Sequence, residues 1–337
     1  MAYRVTMADV AQQAGVSLMT VSRVVNNKGD VSAETRQRVQ QVIEELGFRP
    51  SGIARSLATQ RTGTVGLIVP DIANPYFSGM AHGITEVAYT EGIGVLLCDC
   101  EEDPERELEM LDILEEKRVD GVLVAAPRVD SRRLIPALAH HPNAVIINRQ
   151  FKEQNSVTAL GYVINDDEGG AREATRLLLN KGHPAVGFLA GPQRSYGSQK
   201  RMDGYQQALK DAGIPYDPNI VMYCAPTVKG GRDAALHFLR QQPQITSLLC
   251  FNDLIAIGVL QACSQIGRRV PEDLAVVGHD DIPMASWVNP PLTTCRVLFE
   301  EMGRLAVQLL IDHLRDCPER CSNIVLTPEI VQRASAP

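Results

Sequence analysis

At 337 residues, the chain is too long for one ordinary hydrophobic core and is expected to form two or three domains. Its 45% hydrophobic and 22% charged residues are typical of a globular protein. No run of about 18 apolar residues occurs, which excludes a transmembrane helix from the prediction. The formal net charge of −7 excludes a uniformly basic surface.

Two short helices joined by a tight turn are predicted near the start of the chain. Thr6 caps the first helix, and Asp9 follows three residues later in the capping-box position. Gly15 ends this helix because it tolerates the positive φ of the turn, and Ser17 caps the second helix. The inner side of the first helix is apolar at helical spacing, at Val10, Ala11 and Ala14.

The second helix has an apolar side and an outward side that suits contacts with DNA bases. Its inward residues are Val21, Val24 and Val25. Its outward residues are Leu18, Met19, Ser22 and Arg23. This layout is typical of a recognition helix that enters a major groove, but an ordinary helical hairpin with an exposed arginine has the same pattern.

A third helix favours the DNA-binding interpretation. Ser32 caps it, Glu34 suits the dipole of its first turn, and Gly47 ends it. Its apolar stripe consists of Val39, Val42, Ile43 and Leu46. Three short helices around a small core form a common DNA-binding unit, which the hairpin alternative does not explain. Residues 51–58 form only a weak helix, which needs support from a partner.

The charge distribution agrees with a basic head on an acidic body. Residues 1–62 hold eight Lys/Arg and five Asp/Glu, a net of +3, so the remainder carries −10. Attraction to phosphate is screened over roughly 8–10 Å, and an acidic body behind the head is therefore compatible with DNA binding. A head of only +3 favours two heads acting together.

After a polar linker at residues 59–63, strands and helices alternate. The predicted strands are 65–69, 94–98, 121–125, 144–147, 185–190, 220–223, 248–251, 274–277, 324–326 and 330–332. The predicted helices are 76–91, 104–117, 131–139, 168–180, 199–212, 230–241, 253–266 and 298–314. Apolar strands alternating with helices indicate parallel sheets covered on both faces, and two such series indicate two lobes.

The chain resembles the lactose-repressor (LacI/GalR) family of bacterial transcription regulators over essentially its whole length. The resemblance rests on Val16-Ser17, Thr20–Asn26, Val31-Ser32, Thr35-Arg36, Gly47–Pro50 and Ala54–Leu57. It implies an α + α/β fold, with a three-helix helix-turn-helix head and a hinge helix before a two-lobed body of doubly wound parallel sheets, similar to periplasmic sugar-binding proteins.

The resemblance also implies domain boundaries. The expected domains are a DNA-binding head at 1–49, a hinge helix and linker at 50–62, and an effector-binding and dimerisation body at 63–337. Lobe one is expected at about 63–164 plus 296–325, and lobe two at about 165–293 plus 326–337. The three crossings between the lobes are expected near 164–166, 293–296 and 326.

The expected partners are a near-palindromic double-stranded DNA operator and a second copy of the chain. The head residues assigned to DNA are Thr6, Ser17, Leu18, Met19, Thr20, Ser22, Arg23 and Asn26. In the hinge, the resemblance implies that Leu57, with Ala58 beside it, wedges into the minor groove. Because the start of the chain has no signal-peptide hydrophobic segment, we expect a cytoplasmic protein without a membrane partner.

Polar residues that directly follow strands are the candidate ligand contacts, because doubly wound sheets bind small molecules at the carboxyl ends of their strands. Asn148, Asn252 and Asp280 lie at strand ends, and Arg201 lies in the stretch that joins a strand to the next helix. A guanidinium fork and carboxylate or amide oxygens suit the hydroxyls of a sugar. The rings of Tyr76 and Phe77 either stack on the ligand or belong to the core. The resemblance assigns the effector to these four polar positions and adds Phe299.

Two positions depart from the family pattern, and two acidic residues have a simpler explanation. Sugar-responsive members often have Asp where this chain has Asn148, and an aromatic residue often occupies the position of Pro226. The amide at Asn148 weakens any specific sugar assignment. Asp253 and Asp281 are interpreted as strand-end caps or salt-bridge partners.

The leading hypothesis is a homodimeric repressor whose operator affinity is controlled by a small molecule, a sugar or sugar derivative. The alternatives are a sugar-transport receptor, a purine-type co-repressor-responsive regulator and an enzyme acting on a sugar or nucleoside. The sequence has no nucleophile motif, phosphate loop or zinc-type histidine pair, so neither a catalytic set nor a cofactor is expected. The spacing of its eight cysteines is unlike a zinc ribbon and predicts no metal.

Overall fold

The computed structural model describes residues 5–25, 29–48, 61–151, 161–315 and 323–337. It divides into two compact units, Met1–Gly63 and Thr64–Pro337, which are considered one at a time. Within the described ranges, no helix combines the length and apolar character needed to cross a bilayer.

The described part of the first unit contains three helices: α1 (Met7–Ala14), α2 (Leu18–Val25) and α3 (Ala33–Leu46). The capping box of α1 is formed, since the Thr6 backbone N–H donates to Asp9 Oδ2 at 2.8 Å and the Asp9 N–H donates to Thr6 Oγ1 at 3.4 Å. Gly15 has a φ of 63°, in the left-handed region that the turn requires.

One valine from each helix closes the core of this unit. Val10, Val21 and Val39 have no exposed surface, and each such burial contributes about 1.5–3 kcal/mol. The remaining buried residues of this core are Ala11, Ala14, Val24, Val42 and Phe48. Val25, which the pattern placed inside, lies half-buried at the edge of the core.

The second unit alternates strands and helices, as the pattern predicts. Its first half contains β1 (Thr64–Val69), α4 (Pro75–Thr90), β2 (Gly94–Asp99), α5 (Pro104–Glu116), β3 (Gly121–Ala125), α6 (Ser131–Leu138), β4 (Ala144–Ile147) and β5 (Gly161–Asn165). Its second half contains α7 (Asp167–Asn180), β6 (Val186–Ala190), α8 (Tyr196–Asp211), β7 (Val221–Tyr223), α9 (Val228–Gln241), β8 (Ser247–Cys250), α10 (Asp253–Ile266), β9 (Ala275–Asp280), β10 (Thr293–Arg296), α11 (Phe299–Leu314), β11 (Ile324–Leu326) and β12 (Glu329–Val331).

These strands form two six-stranded sheets, one in each lobe. The order is β11-β5-β4-β3-β1-β2 in lobe one and β12-β10-β9-β8-β6-β7 in lobe two. Every adjacent pair is parallel except β10 and β12. Every residue of β3, β6 and β8 is buried, as expected for parallel strands covered on both faces. The predicted fold class is confirmed.

The chain passes between the two sheets three times. The passages follow β5, β10 and β11, and lead into α7, α11 and β12. The sequence predicts crossings at these three places, but its pattern does not indicate strands at β5 and β10. Their pattern is weak because only Val163 and Asn165 of β5 are buried, and because two of the three buried residues of β10 are threonines.

Glycines allow several helix pairs to approach closely. A Cβ atom at Gly83 of α4 would lie 2.2 Å from the carbonyl oxygen of Glu300 at the start of α11. The reverse holds at Gly303 of α11, where a Cβ atom would lie 2.3 Å from the carbonyl oxygen of Met80. Any side chain here would separate the helices that cover one face of sheet one.

Candidate functional site

The recognition helix presents apolar side chains outward, as predicted. Leu18 is 55% exposed and Met19 is 65% exposed. Ser17 caps the helix, because its Oγ accepts from the Thr20 N–H at 3.1 Å and lies 2.9 Å from Thr20 Oγ1. Neither Leu18 nor Met19 has a polar side-chain atom, so they are suited to thymine methyl groups and groove shape.

Arg23 is the cation on the same outward side of α2. Both Ser22 and Arg23 are half-buried, and Arg23 forms no ion pair with any described residue. Its guanidinium therefore remains available for a guanine or a phosphate. The other assigned residues, Asn26, Leu57 and Ala58, lie outside the described residues, and their roles stay predictions.

In the second unit, loops at the carboxyl ends of both sheets enclose a cleft between the two lobes. Lobe one lines it with Asn74, Tyr76, Phe77, Glu102, Ala126, Arg128 and Asn148. Lobe two lines it with Asp167, Ser195, Tyr196, Gly197, Arg201, Pro226, Phe251, Asn252 and Asp280. Six of the seven predicted contacts thus come together. The seventh, Phe299, lies behind the lining with its ring centroid 5.5 Å from that of Tyr76.

The buried guanidinium of Arg201 organises the lobe-two wall. Its Nε donates to Asp167 Oδ1 at 3.0 Å, and its Nη2 lies 2.9 Å from the same oxygen. The same Nη2 donates to Asp280 Oδ1 at a longer 3.4 Å, and Nη1 donates to the carbonyl oxygen of Phe251. The guanidinium carbon also lies 4.5 Å from the centroid of the Phe251 ring.

The two carboxylates compete for this one cation with unequal results. Burial opposes ionisation of Asp167, but the adjacent Arg201 and His279 outweigh it and lower its pKa to about 2. Burial raises the pKa of Asp280 to about 7. The positive charge of Arg201 offsets this effect only in part, and the negative charge of Asp167 adds to it. Burial also lowers the pKa of His279 to about 4, and the positive charge of Arg201 adds to this effect.

The lobe-one wall offers an unused acceptor. Asn148 Nδ2 donates to the Tyr76 hydroxyl, which in turn donates to Met302 Sδ at 3.6 Å. Asn148 Oδ1 is buried and accepts no hydrogen bond from any described residue. An unsatisfied buried acceptor costs about 1–3 kcal/mol, so a ligand hydroxyl or N–H here would relieve an existing penalty.

Backbone strain is concentrated at the strand ends around the cleft. Non-glycine residues with positive φ include Glu102 (60°), Ala126 (45°), Asn148 (57°) and Asp280 (113°). All four line the cleft. Such conformations cost of order 1–3 kcal/mol each, and they persist where the surrounding structure holds a side chain in a required direction.

Not every polar residue in the lining is free to bind a ligand. Asn252 caps α10, since its Oδ1 accepts from the Ile255 N–H at 2.9 Å and its Nδ2 donates to the Pro226 carbonyl at 3.4 Å. Asp253 accepts from Thr294 Oγ1 at 2.6 Å and from the Ile282 N–H at 2.9 Å. The structural interpretation of Asp253 agrees with these contacts.

Asp281 also has the structural role expected of it, as a salt-bridge partner. It pairs with Arg296 at 2.7 Å and with Arg333 at 2.7 Å. Arg296 is the last residue of β10 and Arg333 lies just after β12, so the ion pairs join the strand ends of lobe two.

Sequence reasoning missed the carboxylate that matters most to Arg201. Asp167 is the first residue of α7 and directly follows the first crossing. An acidic residue in the first turn of a helix is expected from the helix dipole alone, so the sequence does not indicate that Asp167 also pairs with Arg201. The Glu102–Arg128 ion pair, at 2.5 Å, was also missed.

Comparisons with known proteins agree with both units. Residues 6–51 match the model of the bacterial regulatory proteins of the lacI family, and residues 175–336 match the periplasmic binding protein-like domain. The HTH-type transcriptional repressor PurR of Pasteurella multocida (strain Pm70) is 34% identical over 332 residues, covering 98% of each chain.

Two solved structures are similar along nearly the whole chain. The Lac repressor dimer bound to operator and the anti-inducer ONPF has a TM-score of 0.89 at 28% identity and covers 99% of each chain. The complex of the transcriptional regulator CelR with cellobiose has a TM-score of 0.73 at 32% identity, covering 98% of this chain and 100% of that one.

The head, the cleft and these relatives define a DNA-binding transcriptional regulator with an effector-binding body. The chain belongs to the lacI family of bacterial transcriptional regulators. The resemblance drawn from the head motifs is therefore confirmed. Because the members of this family are regulators and not enzymes, the expectation that the chain is not an enzyme is also confirmed.

Proposed function

We propose that this protein is a homodimeric, cytoplasmic repressor whose affinity for a near-palindromic operator is set by a sugar or sugar derivative in the cleft. The observation that carries the proposal is the meeting of Arg201 and Asp280 with Asn148 across one buried cleft. In this proposal residues 1–49 bind DNA, residues 50–62 form the hinge, and residues 63–337 bind effector and dimerise.

The chemistry of the cleft supports a polyol ligand. Asp280 and Asn148 Oδ1 are acceptors for hydroxyl groups, while Tyr76 and Phe77 supply aromatic surface for the apolar face of a sugar ring. The relative solved with cellobiose supports the same ligand class. The sugar itself is not assigned, because Asn148 and Pro226 depart from the family pattern.

An exposed apolar strand supports the homodimer. β2 lies at the edge of sheet one, and the consecutive residues Leu96 and Leu97 are 41% and 46% exposed on its two faces. An edge with unpaired backbone groups and exposed leucines is a pairing surface unless it is covered. The similar Lac repressor is a dimer, so we propose a second copy of this chain as the cover.

A purine-type co-repressor is the second candidate effector. It is favoured by the similarity to the PurR repressor and by Tyr76 and Phe77, whose rings line the cleft and could stack on a flat base. An effector that releases DNA is an inducer and one that promotes DNA binding is a co-repressor, so the direction of the response is part of the test.

A thermal-shift screen against neutral sugars and purines separates the candidates. A specific ligand at 100 times its Kd should stabilise the protein by about 2.7 kcal/mol. A DNA-shift assay with each hit then gives the sign of the response. A screen in which purines stabilise the protein and sugars do not would overturn the carbohydrate proposal.

A further inference from the structure

A second crevice between the lobes is lined by arginines. Its volume is about 530 Å³, and it adjoins the ligand cleft because Arg128 and Tyr196 line both. The residues that matter here are Arg128, Arg133, Arg149, Arg194, Tyr196 and Gln199, which we call the arginine crevice. The first three belong to lobe one and the last three to lobe two.

Two of these arginines are already neutralised. Arg133 forms a bidentate pair with Glu105, at 2.5 and 2.7 Å. Arg128 forms a similar pair with Glu102 through Nε and Nη2. They shape the crevice but offer little charge to a ligand.

Arg149 is different, because all of its hydrogen-bond partners among the described residues are neutral. It donates to the carbonyl oxygens of Pro127 and Val129 and to Ser131 Oγ, the last at 2.9 Å. Its guanidinium lies 5.3 Å from the centroid of the Phe151 ring. Burial lowers the pKa of Arg149, as expected for a partly desolvated cation that forms no ion pair with a described carboxylate.

The lobe-two side supplies a second unpaired cation and a hydroxyl. Arg194 is exposed and has neither a hydrogen bond nor an ion pair with any described residue. Tyr196 begins α8, and its hydroxyl likewise has no partner among the described residues. Asp130, the other carboxylate of the lining, caps α6 by accepting from the Arg132 N–H at 2.9 Å, and it forms an ion pair with Arg132 Nε at 3.6 Å.

We infer that the arginine crevice binds a phosphate group carried by the effector. Arg149 from one lobe and Arg194 with Tyr196 from the other would surround it from several sides. A tetrahedral phosphate has oxygens to meet donors from all of them, whereas a carboxylate presents one planar edge. This inference rests on the proposed function, with the sugar ring in the cleft and its phosphate beyond Arg128 and Tyr196.

Binding across the lobe boundary has a consequence for switching. Donors from both lobes meet the anion only while the lobes are closed around it. A phosphorylated ligand would therefore favour the closed arrangement more than the same sugar without phosphate, and a differential affinity of this kind is what shifts a conformational equilibrium.

Titration calorimetry with inorganic phosphate, at constant ionic strength, tests the crevice without any sugar. We expect the native chain to bind phosphate, and Arg194→Gln to weaken binding about tenfold, the size expected for losing a charged hydrogen bond. Arg240→Gln is the matched control, since it removes the same charge from the exposed far end of α9 and should leave affinity unchanged. Equal phosphate affinity in the native chain and Arg194→Gln would overturn the inference.

A second arm compares hexose phosphates with the same neutral hexoses and with hexuronates. Tighter binding of a phosphate ester, lost in Arg194→Gln and in Arg149→Lys, supports the inference. Binding of neutral hexoses with no gain from phosphate or from a carboxylate overturns it and leaves the proposed function standing. A preference for hexuronates overturns the phosphate assignment. Phosphate binding through Arg194 without binding of any sugar supports the anion site and overturns the carbohydrate proposal.

Discussion

At the scale of single residues, the cleft is governed by how one cation is shared. Arg201 lies closer to Asp167 than to Asp280, at 2.9 Å against 3.4 Å. Asp167 therefore stays ionised, while Asp280 titrates near neutrality. A carboxyl group that changes charge near pH 7 can act as a hydrogen-bond donor in one form and as an acceptor in the other.

This sharing predicts a pH-dependent effect of Asp280→Asn on stability. The native pKa of about 7 lies above the usual Asp value, so the folded state holds a proton that the unfolded state has released. The stability contributed by Asp280 is thus complete below about pH 4 and is lost as pH rises towards 7, by at most about 1.4 kcal/mol per pH unit. The pKa of His279 is lowered to about 4, so its contribution to stability increases with pH. Since His279 is present in both proteins, this contribution does not distinguish them.

The measurement is urea unfolding of the native chain and of Asp280→Asn between pH 4.5 and 8. The free energy of unfolding of the native chain minus that of the variant should decrease as pH rises. Asp233→Asn, at an exposed position of α9, is the control for removing one carboxylate from the surface. A difference for Asp280→Asn that stays constant or grows with pH would contradict the assignment.

A second residue-scale prediction concerns base reading by Arg23. A bidentate contact with guanine is worth about 1–3 kcal/mol of discrimination, so Arg23→Ala should lower the ratio of operator affinity to random-DNA affinity. Affinities are measured on a duplex selected from a random library and on random duplex. Arg38→Ala, an exposed position on α3, should leave this ratio unchanged. If Arg23→Ala weakens both affinities equally, Arg23 contacts only phosphate.

At the scale of elements, the lobes depend on helices that pack with almost no space between them. The α4–α11 pair covers sheet one with reciprocal glycine contacts at Gly83 and Gly303. In lobe two, α9 and α10 approach in the same way, since a Cβ at Gly258 would lie 2.2 Å from the Val228 carbonyl oxygen. These contacts involve backbone atoms, which cannot rotate away as a side chain does.

We therefore expect Gly83→Ala to destabilise the body. The new methyl group would meet the Glu300 carbonyl at 2.2 Å, and relieving this overlap by shifting α11 should cost about 1–3 kcal/mol. His82→Ala, on the exposed side of the same helix, should change stability by less than about 0.5 kcal/mol. Chemical denaturation of both variants decides the point, and equal stabilities would show that the helices can separate freely.

At the scale of the whole molecule, effector recognition and DNA binding belong to different units. Asp280→Asn alters the cleft with almost no change in shape, so this variant should bind operator like the native chain and respond weakly to effector. A calorimetric titration with effector and a DNA-shift assay with and without it provide the test. Unchanged effector affinity would remove Asp280 from the site, and lost operator binding without ligand would assign it a structural role.

The sequence predicted the architecture well because buried parallel strands such as β3 are continuous apolar runs. It missed β5 and β10, whose half-polar pattern reflects positions next to the crossings. Asn148, which follows β4, and Arg201, which lies in α8, both line the cleft. The sequence alone could not show that Asn252 caps a helix or that Asp167 pairs with Arg201, because such partners are set by tertiary contacts.

The three crossings have a consequence for how the protein is made. Sheet one needs β11 and sheet two needs β12, and Ser335 ties β9 to β10 by donating to the Val276 carbonyl at 2.6 Å and accepting from the Thr293 N–H at 2.8 Å. During synthesis, neither lobe can be completed until residues beyond 323 leave the ribosome, whereas the core of the head lies within residues 10–48. A chain cut short by a nonsense codon or by proteolysis would therefore keep every residue of the head core while losing the strands that complete both sheets of the body.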